Sequence, residues 1–304
     1  SFFTIILNAV ISVSRVFVEL SRGSASAKRI AEVLDMPADL LPEECPEDTS
    51  GALIRFENVT FSYGGAPALQ DISFSMRKGE SLGVIGATGS GKSTLVSLLL
   101  RFYDATEGAV YVDGKNVKSY EKAELCKKFG IVFQNDFLMA SSVRENIDFE
   151  RGLSDEDVGQ AAEYARAADF IREHEGYEGI LTARGGNYSG GQKQRLLIAR
   201  ALAAKPEILI LDDSSSALDY RTDASLRKTL LENLSETAVV MIAQRISSVR
   251  FADHILVLDG GKMVGFGTDE ELMRTCETYR RIYRSQHDDD IIGKGGEPYA
   301  GAGA

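Results

Sequence analysis

The chain has 304 residues, 44% of them apolar and 26% charged, which suffices for about two globular domains and excludes wholesale disorder. With 45 acidic residues against 34 basic ones the net charge is −11, so the basic excess of a nucleic-acid binder is missing and no nucleic-acid partner is expected. Three cysteines (Cys45, Cys126, Cys276) and three histidines (His174, His254, His287) are scattered without metal-ligand spacing, which argues against disulfides, zinc and histidine-based metal chemistry.

The first element is an apolar run from Ser1 to Ser14, shorter than the ~20 residues that span a bilayer and without the basic start of a signal peptide. The end of a membrane helix and an amphipathic core helix both fit this run. Arg15, Arg22, Lys28 and Arg29 follow it, the basic flank expected where a helix leaves lipid on the cytoplasmic side, and they favour the membrane. A helical pattern continues from Ser24 and stops before Pro37, so residues 1–35 are expected to hold the end of a last transmembrane helix and a connecting helix. Residues 36–51, rich in proline and acidic side chains, predict a solvated linker.

A new domain is expected over residues 52–286. It opens with period-two alternation at Ile54, Phe56, Val59, Phe61 and Tyr63, and after a Gly-Gly-Ala-Pro turn at Ile72, Phe74 and Met76, the pattern of antiparallel strands with one wet face. Continuous apolar runs at Ser81–Ile85, Ile208–Leu211, Ala238–Ala243 and His254–Leu258 predict parallel strands covered on both faces. From about residue 134 to 204 the periodicity is helical, which predicts a helical subdomain inserted into the sheet domain. One last helix is expected from Asp269 to Tyr283 behind the cap candidate Thr268, and a disordered tail over residues 287–304.

Gly86-Ala-Thr-Gly-Ser-Gly-Lys-Ser93 matches G-x-x-x-x-G-K-[ST], and it lies between the strand Ser81–Ile85 and an apolar helix expected at Thr94–Phe102. Gly86, Gly89 and Gly91 let the backbone wrap around phosphate oxygens, so that N–H groups from Thr88 through Ser90 to Thr94 meet negative charge. Lys92 supplies a point charge for the β- and γ-phosphates, and the Ser93 hydroxyl suits Mg²⁺. The strand Ile208–Leu211 ends in Asp212 and Asp213, and Asp212 is placed to hold the same ion.

Tyr188-Ser-Gly-Gly-Gln192, followed by Lys-Gln-Arg and the helix Leu196–Ala204, resembles the signature of ABC-transporter ATPase domains, and the resemblance covers about Ala52 to Tyr283. It implies an α/β P-loop NTPase fold: a parallel sheet core with an antiparallel β subdomain and a helical subdomain. It implies ATP and Mg²⁺ as ligands, Tyr63 as the ring that stacks on adenine, and Gln134 as a residue that touches Mg²⁺ and senses the membrane domain. Ser189, Gly190, Gly191 and Gln192 then serve a partner's nucleotide, and Asp219 belongs to the loop that crosses the dimer interface. Residues 1–35 resemble the last membrane helix and connecting segment of multidrug-type exporters, which implies a cell-membrane location with the ATPase domain on the cytoplasmic face.

The chain departs from the family pattern at two catalytic positions and in one loop. Where members that hydrolyse ATP well carry Glu and His, it has Asp213 and Gln244. Asp draws the carboxylate back by about one carbon–carbon bond, roughly 1.5 Å, and a ~1 Å misplacement can cost ~10²-fold in rate. Gln bonds a phosphate oxygen without carrying charge or relaying a proton. The loop Thr182–Gly186 also lacks the family's usual carboxylate. This combination resembles the degenerate half of heterodimeric bacterial exporters, in which a second, different chain completes the pair. Two other readings stay open: a soluble non-transport ABC ATPase, against which the apolar start argues, and a purely regulatory nucleotide-binding module, which Asp213 and Gln244 favour. The transported substrate is not written in this segment.

Overall fold

The computed structural model describes residues 1–36, 40–214 and 217–293, which fall into two compact units, 1–41 and 42–304. The first unit holds one continuous helix, α1 (Phe2–Leu34), with every side chain exposed. At 1.5 Å per residue it is about 50 Å long. An 18-residue window within it reaches a mean hydropathy of 1.8, so it is long and apolar enough to cross a membrane. The apolar stretch therefore runs further than Ser1–Ser14, because Arg15 and Glu19 interrupt the pattern without breaking the helix.

The second unit is built on a ten-stranded sheet. Its strands are β1 (Ile54–Phe61), β2 (Leu69–Met76), β3 (Ser81–Gly86), β4 (Glu107–Val112), β5 (Lys115–Asn116), β6 (Phe129–Val132), β7 (Ile208–Asp212), β8 (Ala238–Ala243), β9 (His254–Asp259) and β10 (Lys262–Gly267). Helices α2 (Lys92–Leu99) and α3 (Lys122–Lys127) precede β6. Between β6 and β7 come α4 (Val143–Asp148), α5 (Asp155–Tyr164), α6 (Ala168–Glu173) and α7 (Gly190–Ala203). The remaining helices are α8 (Tyr220–Asn233), α9 (Ile246–Val249), α10 (Asp269–Thr275) and α11 (Glu277–Gly293).

The strand order is β5-β4-β1-β2-β10-β9-β3-β8-β7-β6. Strands β1, β2, β4 and β5 pair antiparallel, and β9, β3, β8, β7 and β6 form the parallel core. Every residue of β7 is buried, and its side chains alternate between two apolar layers: Ile208 and Ile210 pack with α2 residues such as Leu95, while Leu209 and Leu211 pack with α7 residues such as Ile198. A parallel strand covered on both faces needs this near-continuous apolar run.

Several expectations change in detail. Residues 41–51 are mostly exposed, as a solvated linker requires, and are anchored as well: the backbone N–H groups of Glu43, Cys45 and Asp48 donate to Lys118 O, Ser119 Oγ and Gly114 O. The helix expected at Thr94–Phe102 starts at Lys92 and ends at Leu99. The single last helix is two, broken at Cys276 (φ −105°, ψ 111°). No proline or glycine marks that break. The Cys276 side chain is buried against β10, where its Sγ donates to Val264 O, so the cause is tertiary. The tail expected from residue 287 begins as helix, since α11 continues to Gly293, the first glycine of that stretch; residues 294–304 lie outside the described ones.

Candidate functional site

Register brings the motif residues together. In the parallel core Val132 pairs with Leu211, Asp212 with Ile242, and Ile85 with Ala243. The residues just past these carboxyl ends, Gln134, Asp213, Gln244 and the loop after Gly86, therefore converge on one edge, where ligands of open α/β sheets bind. They bound a cleft of about 220 Å³ lined by Thr88, Gly89, Gly91–Thr94, Gln134, Asp212, Asp213 and Gln244, with Ala68, Ile242 and Ala243.

The loop itself needs its glycines. Gly91 has φ 105°, and a Cβ there would meet Leu69 Cδ2 at 2.6 Å and Ala68 O at 2.9 Å. Gly89 has φ 79° with open space where a side chain would point. Ser90 is buried and its Oγ makes no hydrogen bond. The Lys92 ammonium donates to the carbonyls of Gly86 (2.7 Å) and Ala87 (2.9 Å), folding the side chain back over the loop. Burial holds its pKa below the ordinary lysine value, against the pull of Asp212 and Asp213. Tyr63, 57% exposed, stands edge-on to Phe61 and Tyr103 and reaches Thr94 Oγ1 at 3.4 Å.

Asp213 sits at the meeting point of the cleft. Its backbone is left-handed (φ 51°), a region that Asp tolerates better than most residues. The side-chain amides of Gln134 and Gln244 both donate to Asp213 Oδ2, each over a long 3.5 Å. Burial raises the pKa of Asp213, with Arg245 and Lys92 opposing it; burial and the neighbouring Asp213 charge raise that of Asp212. Arg245 is thus a contributor that the sequence reading passed over, although its place next to Gln244 was a signal.

The donor set fits a nucleotide and its magnesium. Glycine-freed backbone, a lysine and two hydroxyls suit phosphate oxygens, and Ser93, Gln134 and Asp212 offer the hard oxygens Mg²⁺ prefers. Among the described residues no cluster of three or more His, Cys, Asp or Glu could hold a metal ion.

The second group of motif residues lies outside that cleft. Ser189 caps α7: its Oγ accepts from the Gln192 N–H, while Gln192 Oε1 accepts from the Ser189 N–H (2.8 Å). The Gln192 side chain is thereby engaged in its own helix. A Cβ on Gly190 would meet the Ala217 Cβ at 3.7 Å, and one on Gly191 would sit 3.3 Å from Ala217 O and 3.5 Å from Leu218 Cδ2. Asp219 caps α8, accepting from the N–H groups of Arg221 and Thr222 and from the Thr222 hydroxyl. The signature and the segment before α8 are therefore neighbours.

A P-loop between β3 and α2, two carboxylates at the end of β7 and a capped Ser-Gly-Gly-Gln helix define an ABC-type ATP-binding domain. Residues 69–216 match the family model described as ABC transporter. An uncharacterized ABC transporter ATP-binding protein of Mycobacterium tuberculosis is 40% identical over 295 residues, 94% of this chain and 50% of the relative. The ATP-dependent lipid A-core flippase of Aliivibrio fischeri is 35% identical over 299 residues, 94% of this chain and 51% of the flippase. A solved structure of a bacterial Atm1-family ABC exporter with ATP bound superposes with a TM-score of 0.80 at 30% identity, covering 92% of this chain and 48% of that one. The chain carries the ATP-binding domain of an ABC transporter, and it spans about half the length of the curated relatives it matches.

Proposed function

We propose that this chain is the ATP-binding and hydrolysing half of an ABC exporter, anchored by residues 1–35 at the cell membrane with residues 52–286 on the cytoplasmic face. The observation that carries this reading is the convergence of Lys92, Ser93, Gln134, Asp212, Asp213 and Gln244 on one cleft at the carboxyl edge of the parallel core. ATP binds with its phosphates on the Gly86–Thr94 loop and its adenine on Tyr63; bound Mg²⁺ neutralises phosphate charge. Lys92 leaves the Gly86 and Ala87 carbonyls for the phosphates. Ser93, Gln134 and Asp212 would hold the ion, and Asp213 orients the attacking water.

The chain's own cleft is slow, because Asp213 is short for its task and Gln244 is uncharged. The Ser189–Gln192 helix start, with its dipole and N–H groups, completes the cleft of a second exporter half, a different chain carrying a catalytic Glu. A membrane-domain segment of the exporter docks near Gln134, where Phe102, Phe133 and Phe137 expose their rings and Phe102 stacks on Phe133. The relative named as a lipid A-core flippase and the solved Atm1-family exporter support an exporter over a soluble ATPase, as does the exposed, apolar α1.

Calorimetry with ATP and Mg²⁺ tests the binding half of this reading. Lys92→Ala removes a charge-assisted contact and is expected to weaken affinity about tenfold to a hundredfold. Unchanged affinity in that variant contradicts the assignment.

A further inference from the structure

Helix α9 is a single turn whose N-cap, Arg245, is extended (φ −100°, ψ 130°) and makes no side-chain cap bond. Such a start leaves the first N–H groups of a helix without partners, and Ile246, 2% exposed, has little access to water. The missing acceptor comes from α11. Gln286 Oε1 accepts from the Ile246 N–H at 2.9 Å, and Gln286 Nε2 donates to the Gln244 carbonyl at 2.7 Å. One amide thus bonds the backbone on both sides of Arg245, much as a neighbouring strand would.

Gln244 borders open space on two sides. It lines the nucleotide cleft and also a second cavity of about 270 Å³, between the 86–88 segment and α11, whose walls include Arg281, Ile282 and Gln286. Its side chain is exposed, so the hydrogen bonds to its backbone carry much of its placement. The same backbone aims the Gln244 amide at Asp213 Oδ2.

We propose that Gln286 is a positioning residue: through this one amide, α11 holds the 244–246 backbone and directs Gln244 at Asp213. The proposal rests on the reading of Gln244 as a participant in turnover. It also makes the docking of α11 a condition for an ordered cleft, although Gln286 itself lines only the neighbouring cavity.

The test uses two variants of the full-length protein in its assembled form, with the partner half's catalytic Glu replaced by Gln so that turnover reads this chain's cleft. Gln286→Leu removes both bonds at similar size, whereas Gln286→Glu keeps an acceptor for Ile246 and loses the donor to Gln244 O. Hydrogen exchange at the Ile246 amide is expected to quicken about tenfold in Gln286→Leu, the scale of one lost hydrogen bond, and to stay slow in Gln286→Glu. Turnover at saturating ATP should fall in both variants with KM unchanged, and that fall should vanish in a Gln244→Ala background. Unchanged Ile246 exchange in Gln286→Leu overturns the proposal, and so does an equal loss of turnover with and without Gln244. If exchange quickens as expected but Gln244→Ala alone leaves turnover intact, the clamp is supported and the reading of Gln244 is the part that fails.

Discussion

Gln134, Asp213 and Gln244 reach the cleft from the ends of three strands and meet only because β6, β7 and β8 are neighbours in register, whereas Ser189 and Gln192 close a capping box within one helical turn. The first arrangement depends on the whole parallel core. The second is nearly self-sufficient. A change of side chain in the cleft can therefore alter chemistry while the strands stay in place, and two of the three departures from the family pattern, Asp213 and Gln244, lie there; the third, the Thr182–Gly186 loop, precedes the signature helix. The segment proposed to serve a partner keeps its Ser-Gly-Gly-Gln sequence and its cap.

The largest effect that would sharpen this contrast is a repair of the cleft. Asp213→Glu combined with Gln244→His is expected to raise turnover by up to ~10²-fold at saturating ATP, the factor a ~1 Å correction of a reacting group can restore. The changes belong together, since the Gln244 amide donates to the Asp213 carboxylate and the two effects need not add. Steady-state ATPase assays with matched ATP affinity give the answer, and no increase breaks the claim that these two residues limit the cleft.

A smaller effect probes the other region. Ser189→Ala removes the α7 cap and is expected to cost about 1 kcal/mol in urea unfolding, while leaving the chain's own ATP affinity at the wild-type value by calorimetry. A loss of ATP affinity equal to that of Lys92→Ala would show that the two regions are not independent.

The smallest concerns pH. Burial, then the nearby Asp213 charge, raises the pKa of Asp212, so the folded chain binds that proton more tightly than the unfolded one. Ionised Asp212 therefore costs stability near neutral pH, and the cost disappears as pH falls through the raised pKa towards the ordinary carboxylate range. Asp212→Asn is expected to raise the nucleotide-free melting temperature at neutral pH, by about 2–4 °C per kcal/mol relieved, with the gap closing on acidification. The same variant should lose the Mg²⁺-dependent part of ATP affinity. A melting temperature that falls at neutral pH contradicts the assigned cause of the shift.

The residues legible in the sequence were those whose signal is local. The 86–93 loop, the Asp212-Asp213 pair behind an apolar strand and the Ser189–Gln192 cap each occupy a few consecutive positions, and the parallel strands announced themselves as continuous apolar runs. Strand β10 escaped because two glycines and an exposed alternation, Lys262-Met-Val-Gly-Phe-Gly267, make a weak strand pattern. The break at Cys276 and the reach of Gln286 back to Gln244 and Ile246 come from packing between distant segments, and no spacing rule records them. Likewise Arg200 of α7 donates to Phe137 O and to Asn146 O and Oδ1, tying the loop after Gln134 to the helix that begins at Ser189. An arginine in an apolar helix gives no hint of such partners.

The proposed division of labour, a slow cleft in this chain and an intact signature serving a partner, is tested most directly by comparing Ser189→Arg with Asp213→Asn in the reconstituted pair of exporter halves, by steady-state ATPase and transport assays. Ser189→Arg removes the cap and puts positive bulk at the helix start, and the account predicts near-complete loss of activity. Asp213→Asn is predicted to cost much less, because its cleft contributes little to turnover. If Asp213→Asn is as damaging as Ser189→Arg, the cleft of this chain is itself the working site and the division of labour is contradicted.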